Sequence, residues 1–184
     1  MKEILIIGNA DAIAGKGLGA AIDAHEFILR FNDYELTPGI CQDYGTRTTH
    51  HAFCWEKREH AKQGPIRLTC IAPHEHHNLP VKSGLVQIEG GPVFVIARDF
   101  VIAAARDARL PEGRHATTGL VMVSWALRHG VKPILCNFDG FQSRHYYPGW
   151  TGWEENGVQN FHAADLELRY YDELAESGRL EFLR

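Results

Sequence analysis

The chain has 184 residues, of which 45% are hydrophobic and 23% charged, and its formal net charge is -4. That length suits one compact domain with its own core, so residues 1–184 read as a single domain, and the ordinary composition excludes a disordered or repeat-built protein. The basic residues are scattered, which removes the electrostatic footprint of nucleic-acid binding, and no apolar run is long enough to be a transmembrane segment or a signal sequence, leaving only peripheral membrane contact open.

Residues 3–7 are a continuous apolar run that predicts a strand, and Gly8-Asn9 followed by a stretch rich in Gly and Ala predicts a strand-to-loop-to-helix junction. Residues 27–32, 48–54 and 67–72 predict three more strands, each bounded by Gly, Pro or polar residues. Residues 97–109 are helical by composition. Thr117 or Thr118 is placed to cap a helix running to about Arg128; Gly130 stops it, and residues 131–137 predict the next strand. A last helix spans about 163–176, closes on Ser177-Gly178 and leads into a short strand over 179–183. Strands alternating with helices imply an α/β fold, a doubly wound and mainly parallel sheet that binds ligands at the carboxyl ends of its strands.

Cys41, Cys54, Cys70 and Cys136 show no Cys-x-x-Cys spacing, and three of them sit beside apolar or aromatic residues as buried thiols do, which fits a reducing cytoplasm. Gly8-Asn9 ends the first strand, where glycine lets backbone amides approach a phosphate and the asparagine amide reaches a nucleotide. Gly15-x-Gly17-x-Gly19 has the look of a dinucleotide loop but lies well beyond the strand, whereas the Rossmann fingerprint begins at its end. An NAD-dependent oxidoreductase would rest on these displaced glycines alone.

The run from Gly17-Leu18-Gly19 through Asp23 to Phe27-Ile28-Leu29-Arg30-Phe31-Asn32, then Asp43-Tyr44-Gly45-Thr46-Arg47-Thr48-Thr49-His50-His51, resembles the large sialyl motif of the eukaryotic-type sialyltransferases, glycosyltransferase family 29. Three further motifs follow in the family's order. Ala116-Thr117-Thr118-Gly119 is similar to the small motif, His145-Tyr146-Tyr147 to the third, and His162 with Glu167 to the last. The resemblance implies a Rossmann-like sheet of variant GT-A type and a CMP-sugar donor. The large motif begins Ile4-Leu5-Ile6, without the cysteine that bridges large and small motifs in secreted-pathway relatives, which implies a short, bacterial-type cytoplasmic member.

Sialyl transfer breaks the bond between an anomeric carbon and a CMP phosphate while an acceptor hydroxyl attacks from the opposite face. The site therefore needs a base, support for the leaving phosphate and precise positioning. On the resemblance, Gly8, Asn9 and Asn32 hold the nucleotide, although Asn32 taken alone merely ends a strand. Thr117, Thr118 and Gly119 would present hydroxyls and amides to the donor's carboxylate or its phosphate while also serving as an ordinary helix cap. His145 would meet the departing phosphate, with Tyr146 as a nearby hydroxyl donor. His162, by itself an ordinary histidine at a helix start, would be the general base on the acceptor hydroxyl, and Glu167 would support the structure. Asp23 and Arg30 read as a scaffold pair, because partly buried charges are normally paired.

His74-Glu75-His76-His77 carries metal-ligand residue types in a Pro-flanked polar stretch with no second ligand cluster, and reads as a solvated loop. No Asp-x-Asp occurs, which agrees with a CMP donor whose single phosphate can be held without metal, so no metal or other cofactor is expected. Residues 146–153, aromatic and glycine-rich, read equally as a flap over a sugar or as a loop on the core, and Pro148 stands where the family's third motif has an acidic or amide residue. The acceptor would be a hydroxyl of a glycan or lipooligosaccharide. A CMP-Kdo donor stays open, and so does an inactive CMP-binding protein of the same fold.

Overall fold

The computed structural model describes residues 2–54, 65–70, 83–88, 91–143, 145–146 and 162–183. In chain order the elements are β1 (Lys2–Ile7), α1 (Gly19–Asp23), β2 (Ile28–Phe31), α2 (Cys41–Tyr44), β3 (His50–Cys54), β4 (Ile66–Cys70), β5 (Gly84–Ile88), β6 (Gly91–Ile96), α3 (Arg98–Asp107), α4 (Thr118–Arg128), β7 (Val131–Cys136), α5 (Ala164–Glu176) and β8 (Glu181–Phe182). The strands form one sheet in the order β5-β6-β4-β3-β2-β1-β7-β8. Every pairing is parallel except β5 with β6.

Alternation along β1 explains why its apolar run is continuous. Leu5 and Ile7 face one cluster with Ile22 of α1 and Tyr44 of α2, whereas Ile6 faces the other with Leu120 of α4 and Leu174 of α5. A parallel strand covered on both faces has no solvent side on which to place polar residues. Each such side chain, shielded fully from water, contributes about 1.5–3 kcal/mol.

Helix α4 begins as its sequence suggests. Thr117 has extended backbone, and its hydroxyl accepts from the Leu120 N–H at 3.1 Å, giving one otherwise orphaned helix amide a partner. Two elements depart from expectation. The antiparallel β5–β6 pair emerges from two apolar runs flanking residues 89–90, and the single turn α2 lies where no helical period is visible. The strand expected over 67–72 is seen as Ile66–Cys70, and residues 71–72 lie outside the described residues, as do His74 to His77 and residues 147–153.

Asp23 and Arg30 do not pair directly; they brace one turn from two sides. The Asp23 carboxylate accepts from the Thr46 and Arg47 N–H groups and the Thr46 hydroxyl. Arg30, only 1% exposed, donates to the carbonyls of Tyr44 and Arg47 and to the Thr48 hydroxyl. Three acceptors are a better match than one carboxylate for the five donors of a guanidinium. The strands after β1 add outward through β2, β3 and β4, whereas β7 and β8 add on its other side. The order therefore reverses at β1, and a crevice opens at the carboxyl ends of β1, β2 and β7, where such sheets bind ligands.

Candidate functional site

A cavity of about 340 Å³ occupies that crevice. Its walls come from four strand ends: Gly8, Asn9 and Ala10 after β1, Phe31, Asn32 and Asp33 after β2, Cys54 of β3, and Asn137 to Phe141 after β7. The start of α4 (Thr117, Thr118, Gly119), the start of α5, His145 and His162 complete it. Eight of the nine residues singled out in the sequence thus surround one space: Gly8, Asn9, Asn32, Thr117, Thr118, Gly119, His145 and His162.

Tyr146 is not among the lining residues. Its ring stacks on Tyr44 at 4.1 Å within the cluster on the opposite face of the sheet. There burial pushes its hydroxyl up to about 12, against the opposing effect of Arg30.

The chain entering from β1 is held close to β7. Gly8 donates to the Cys136 carbonyl at 2.9 Å, so its own amide is spent in the sheet, and a Cβ on Gly8 would collide with the Asn137 carbonyl. Close backbone approach is the reason for glycine at this position. Asn9 donates from Nδ2 to the Phe31 carbonyl at 3.2 Å, tying the ends of β1 and β2 together. Tyr146 N–H donates to the Asn9 carbonyl at 3.1 Å, and this bridge seats His145 beside Ala10.

Asn32 and Asn137 both occupy the left-handed region, with φ of 48° and 64°, as the chain turns away from its strand. Asparagine tolerates that conformation better than most residues, and such strain collects at sites. The Asn32 Oδ1 accepts from the Cys54 N–H at 3.3 Å. Asn137 donates to the carbonyls of Gly8 and Ala10 and is 8% exposed. Asn137 and Asp139 were missed by sequence reasoning. The one available signal was their position just beyond a strand, at the end of the sheet where ligands bind.

The α4 end of the cavity is built around a buried carboxyl. Glu167, 4% exposed, accepts from the Thr117 N–H at 2.9 Å and the Thr117 hydroxyl at 2.5 Å, and Tyr171 donates to it at 3.4 Å. Burial pushes its carboxyl up to about 7 even though these donors favour the ionised form. Thr117 is therefore committed to scaffolding, while the N–H groups of Thr118 and Gly119 belong to the first turn of α4, for which a helix itself supplies no carbonyl. Gly119 leaves room for the Phe138 ring, which would lie 2.8 Å from a Cβ there.

His162 is oriented by backbone. Its Nδ1 lies 2.7 Å from the His115 carbonyl, and its own carbonyl accepts from Arg114 at 3.3 Å. A carbonyl can only accept, so a neutral ring donates Nδ1–H to it and carries its lone pair on Nε2. Phe141 lies parallel to the imidazole, with ring centroids 6.2 Å apart. A nitrogen base, a second histidine and a helix start bordering one cavity can accept a proton, stabilise a leaving anion and hold a phosphate or carboxylate.

A second cavity, about 680 Å³, lies between the sheet and the C-terminal half of α4, lined by Ile4, Ile6, Leu29, Phe94, Met122 and Trp125 among others. It is larger but chiefly apolar, and it sits at the opposite ends of the strands. Convergent polar groups make the first cavity the candidate site. Among the described residues no cluster of three or more His, Cys, Asp or Glu side chains is placed to hold a metal, and no helix is long and apolar enough to cross a membrane.

Fold and cavity together define a mixed α/β protein with a single sheet and a polar ligand cleft at its strand ends. Residues 1–68 match the sequence profile of glycosyltransferase family 29 (sialyltransferase). The chain is 29% identical over 218 residues to mouse CMP-N-acetylneuraminate-beta-galactosamide-alpha-2,3-sialyltransferase 2, covering 100% of this chain and 57% of the mouse protein. To the human CMP-N-acetylneuraminate-beta-galactosamide-alpha-2,3-sialyltransferase 1 it is 23% identical over 206 residues, again over 100% of this chain and 58% of that protein. It thus spans little more than half the length of these curated relatives. A crystal structure of a mammalian sialyltransferase in complex with Gal-beta-1-3GalNAc-ortho-nitrophenol has the same fold, with a TM-score of 0.71 at 20% identity over 99% of this chain and 69% of that one.

Proposed function

We propose that this chain is a member of glycosyltransferase family 29, of variant GT-A and Rossmann-like type, that moves sialic acid from CMP-sialic acid to a hydroxyl of a glycan acceptor. In this reading the transfer is inverting and needs no metal. Asn9 and Asn32 hold the nucleotide, and the Thr118 and Gly119 amides at the start of α4 receive the donor's phosphate or carboxylate. His145 supports the departing phosphate. His162 takes the proton of the acceptor hydroxyl as that oxygen attacks the anomeric carbon.

The observation that carries the proposal is the His162 Nδ1 contact to the His115 carbonyl at the edge of the cavity. It selects the tautomer a general base requires, and the other cavity residues supply a place for the donor beside it. The family match over residues 1–68 supports the nucleotide part of the reading. The dinucleotide alternative loses its support, because the Gly15 and Gly17 N–H groups that would cradle a phosphate instead donate to the Asp43 carboxylate at 2.8 and 2.7 Å.

The test is His162→Ala, with CMP binding followed by calorimetry and transfer followed with CMP-sialic acid and a panel of glycan acceptors. Loss of transfer by more than a hundredfold with CMP affinity retained is expected for a general base. A variant that keeps most of its activity overturns the assignment. Substituting CMP-Kdo for CMP-sialic acid in the same assay distinguishes the two donors, since both are 2-keto sugars activated as CMP esters. A chain that binds CMP but consumes neither donor is a binding protein.

A further inference from the structure

Four cysteines are reduced in this fold, and the mechanism above uses none of them. Two are chemically isolated. Cys136 is buried in the sheet, where loss of solvent pushes its thiol up to about 11, and Cys41 donates to the Thr37 carbonyl beside α2. The other two converge. Cys54 is half-buried in the cavity wall, with Sγ 3.1 Å from the Thr118 Oγ1, and the buried Cys70 has its Sγ 3.9 Å from the same oxygen.

Cys54 and Cys70 are Cα partners in the parallel β3–β4 ladder. Partnered residues on neighbouring strands stand about 4.8 Å apart and project to the same face, a separation inside the Cα range over which disulfides close. On that face both sulfurs approach the Thr118 hydroxyl at the start of α4. The cavity gives a small solute access to Cys54, while Cys70 lies behind it.

We propose that Cys54 and Cys70 form a reversible thiol pair that controls the donor cavity, with a hydroperoxide as the oxidant, Cys54 as the thiol that attacks it and Cys70 as the resolving one. In the first step the Cys54 sulfur attacks a peroxide oxygen. The O–O bond breaks, water or an alcohol leaves, and Cys54 becomes a sulfenic acid. In the second step the Cys70 sulfur attacks the Cys54 sulfur, the S–O bond breaks, and water departs with the Cys70 proton. Two electrons pass from the thiols to the peroxide. A dithiol reverses the change by exchange. Closing the disulfide draws Cys54 away from Thr118, so the hydroxyl beside the proposed donor-binding amides loses its nearest partner.

The ligand effect rests on the proposed nucleotide site, whereas the cysteine chemistry does not, and the experiment separates them. The reduced full chain is treated with hydrogen peroxide with and without CMP, and disulfides are mapped by mass spectrometry under non-reducing conditions while CMP binding is measured by calorimetry. A Cys54–Cys70 linked peptide is expected, formed more slowly when CMP fills the cavity. The oxidised chain is expected to bind CMP about tenfold more weakly and to recover with dithiothreitol. Cys70→Ser, outside the cavity lining, keeps the CMP affinity of the reduced chain and leaves a Cys54 sulfenic acid that dimedone traps. Absence of the linked peptide, or a linked chain with unchanged CMP affinity, overturns the proposal. If the reduced chain binds no CMP, the nucleotide reading fails, and the disulfide map alone decides whether the pair exists.

Discussion

Replacing Glu167 by glutamine removes an ionisable group from the α4–α5 contact while keeping its shape and an oxygen for the Thr117 N–H. The carboxyl rises from an ordinary 4.5 to about 7 because burial penalises its charge more than Thr117 and Tyr171 stabilise it. A folded state that binds the proton more tightly than the unfolded chain is most stable below the unfolded pKa and loses that stability as pH climbs through the folded one. The full difference is roughly 3 kcal/mol at 1.36 kcal/mol per unit, and most of it falls between about pH 5 and pH 8.

Urea unfolding of the native chain and of Glu167→Gln across that range reads the effect directly. The glutamine variant lacks this titration, so the stability of the native chain relative to the variant should fall by roughly 2–3 kcal/mol from pH 5 to pH 8. A difference that stays constant across the range would refute the reasoning. It would mean that the carboxyl ionises no differently in the folded and unfolded chains, and that Glu167 is solvated or paired in a way the fold does not display.

Two further substitutions contrast a wall of the cavity with the far side of the sheet. In Gly119→Ala the new methyl meets the Phe138 ring, which is held edge-on by Phe31 and Tyr171 at centroid distances of 6.1 and 5.7 Å and has little room to turn. A loss of about 1–3 kcal/mol in urea unfolding and weaker CMP binding in calorimetry are expected. Tyr146→Phe removes a hydroxyl on the far side of the sheet from the cavity, so CMP affinity should change by less than about twofold. A tenfold loss would return that hydroxyl to the donor site.

Much of the architecture was legible because the signals are local. The apolar runs of β1, β2 and β7 mark strands shielded from water on both faces, and Thr117 caps α4 through a hydroxyl that reaches only three residues ahead. The β5–β6 hairpin could have been read from its flanking apolar runs. The Asp23 and Arg30 partners could not, since each braces the segment from Tyr44 to Thr48 and nothing nearby in sequence indicates that. Tyr146 sits next to His145 in the chain, yet successive residues of an extended segment point to opposite sides, and only His145 lines the cavity.

The order of the motifs and the identity of the side chains that surround the cavity belong to the sequence itself, because residue type sets which chemistry each group can perform. How those groups meet was decided by tertiary structure. Gly8 lies against Asn137 only because β1 and β7 pair in parallel across most of the chain's length. His162 acquires an oriented imidazole only because the start of α5 docks where the His115 carbonyl is exposed to its Nδ1. Cys54 and Cys70 share the Thr118 hydroxyl only through the register of β3 against β4 and the docking of α4 over both. Hydrogen bonds and close approaches between residues far apart in sequence depend on how elements pack, and packing is a property of the whole fold.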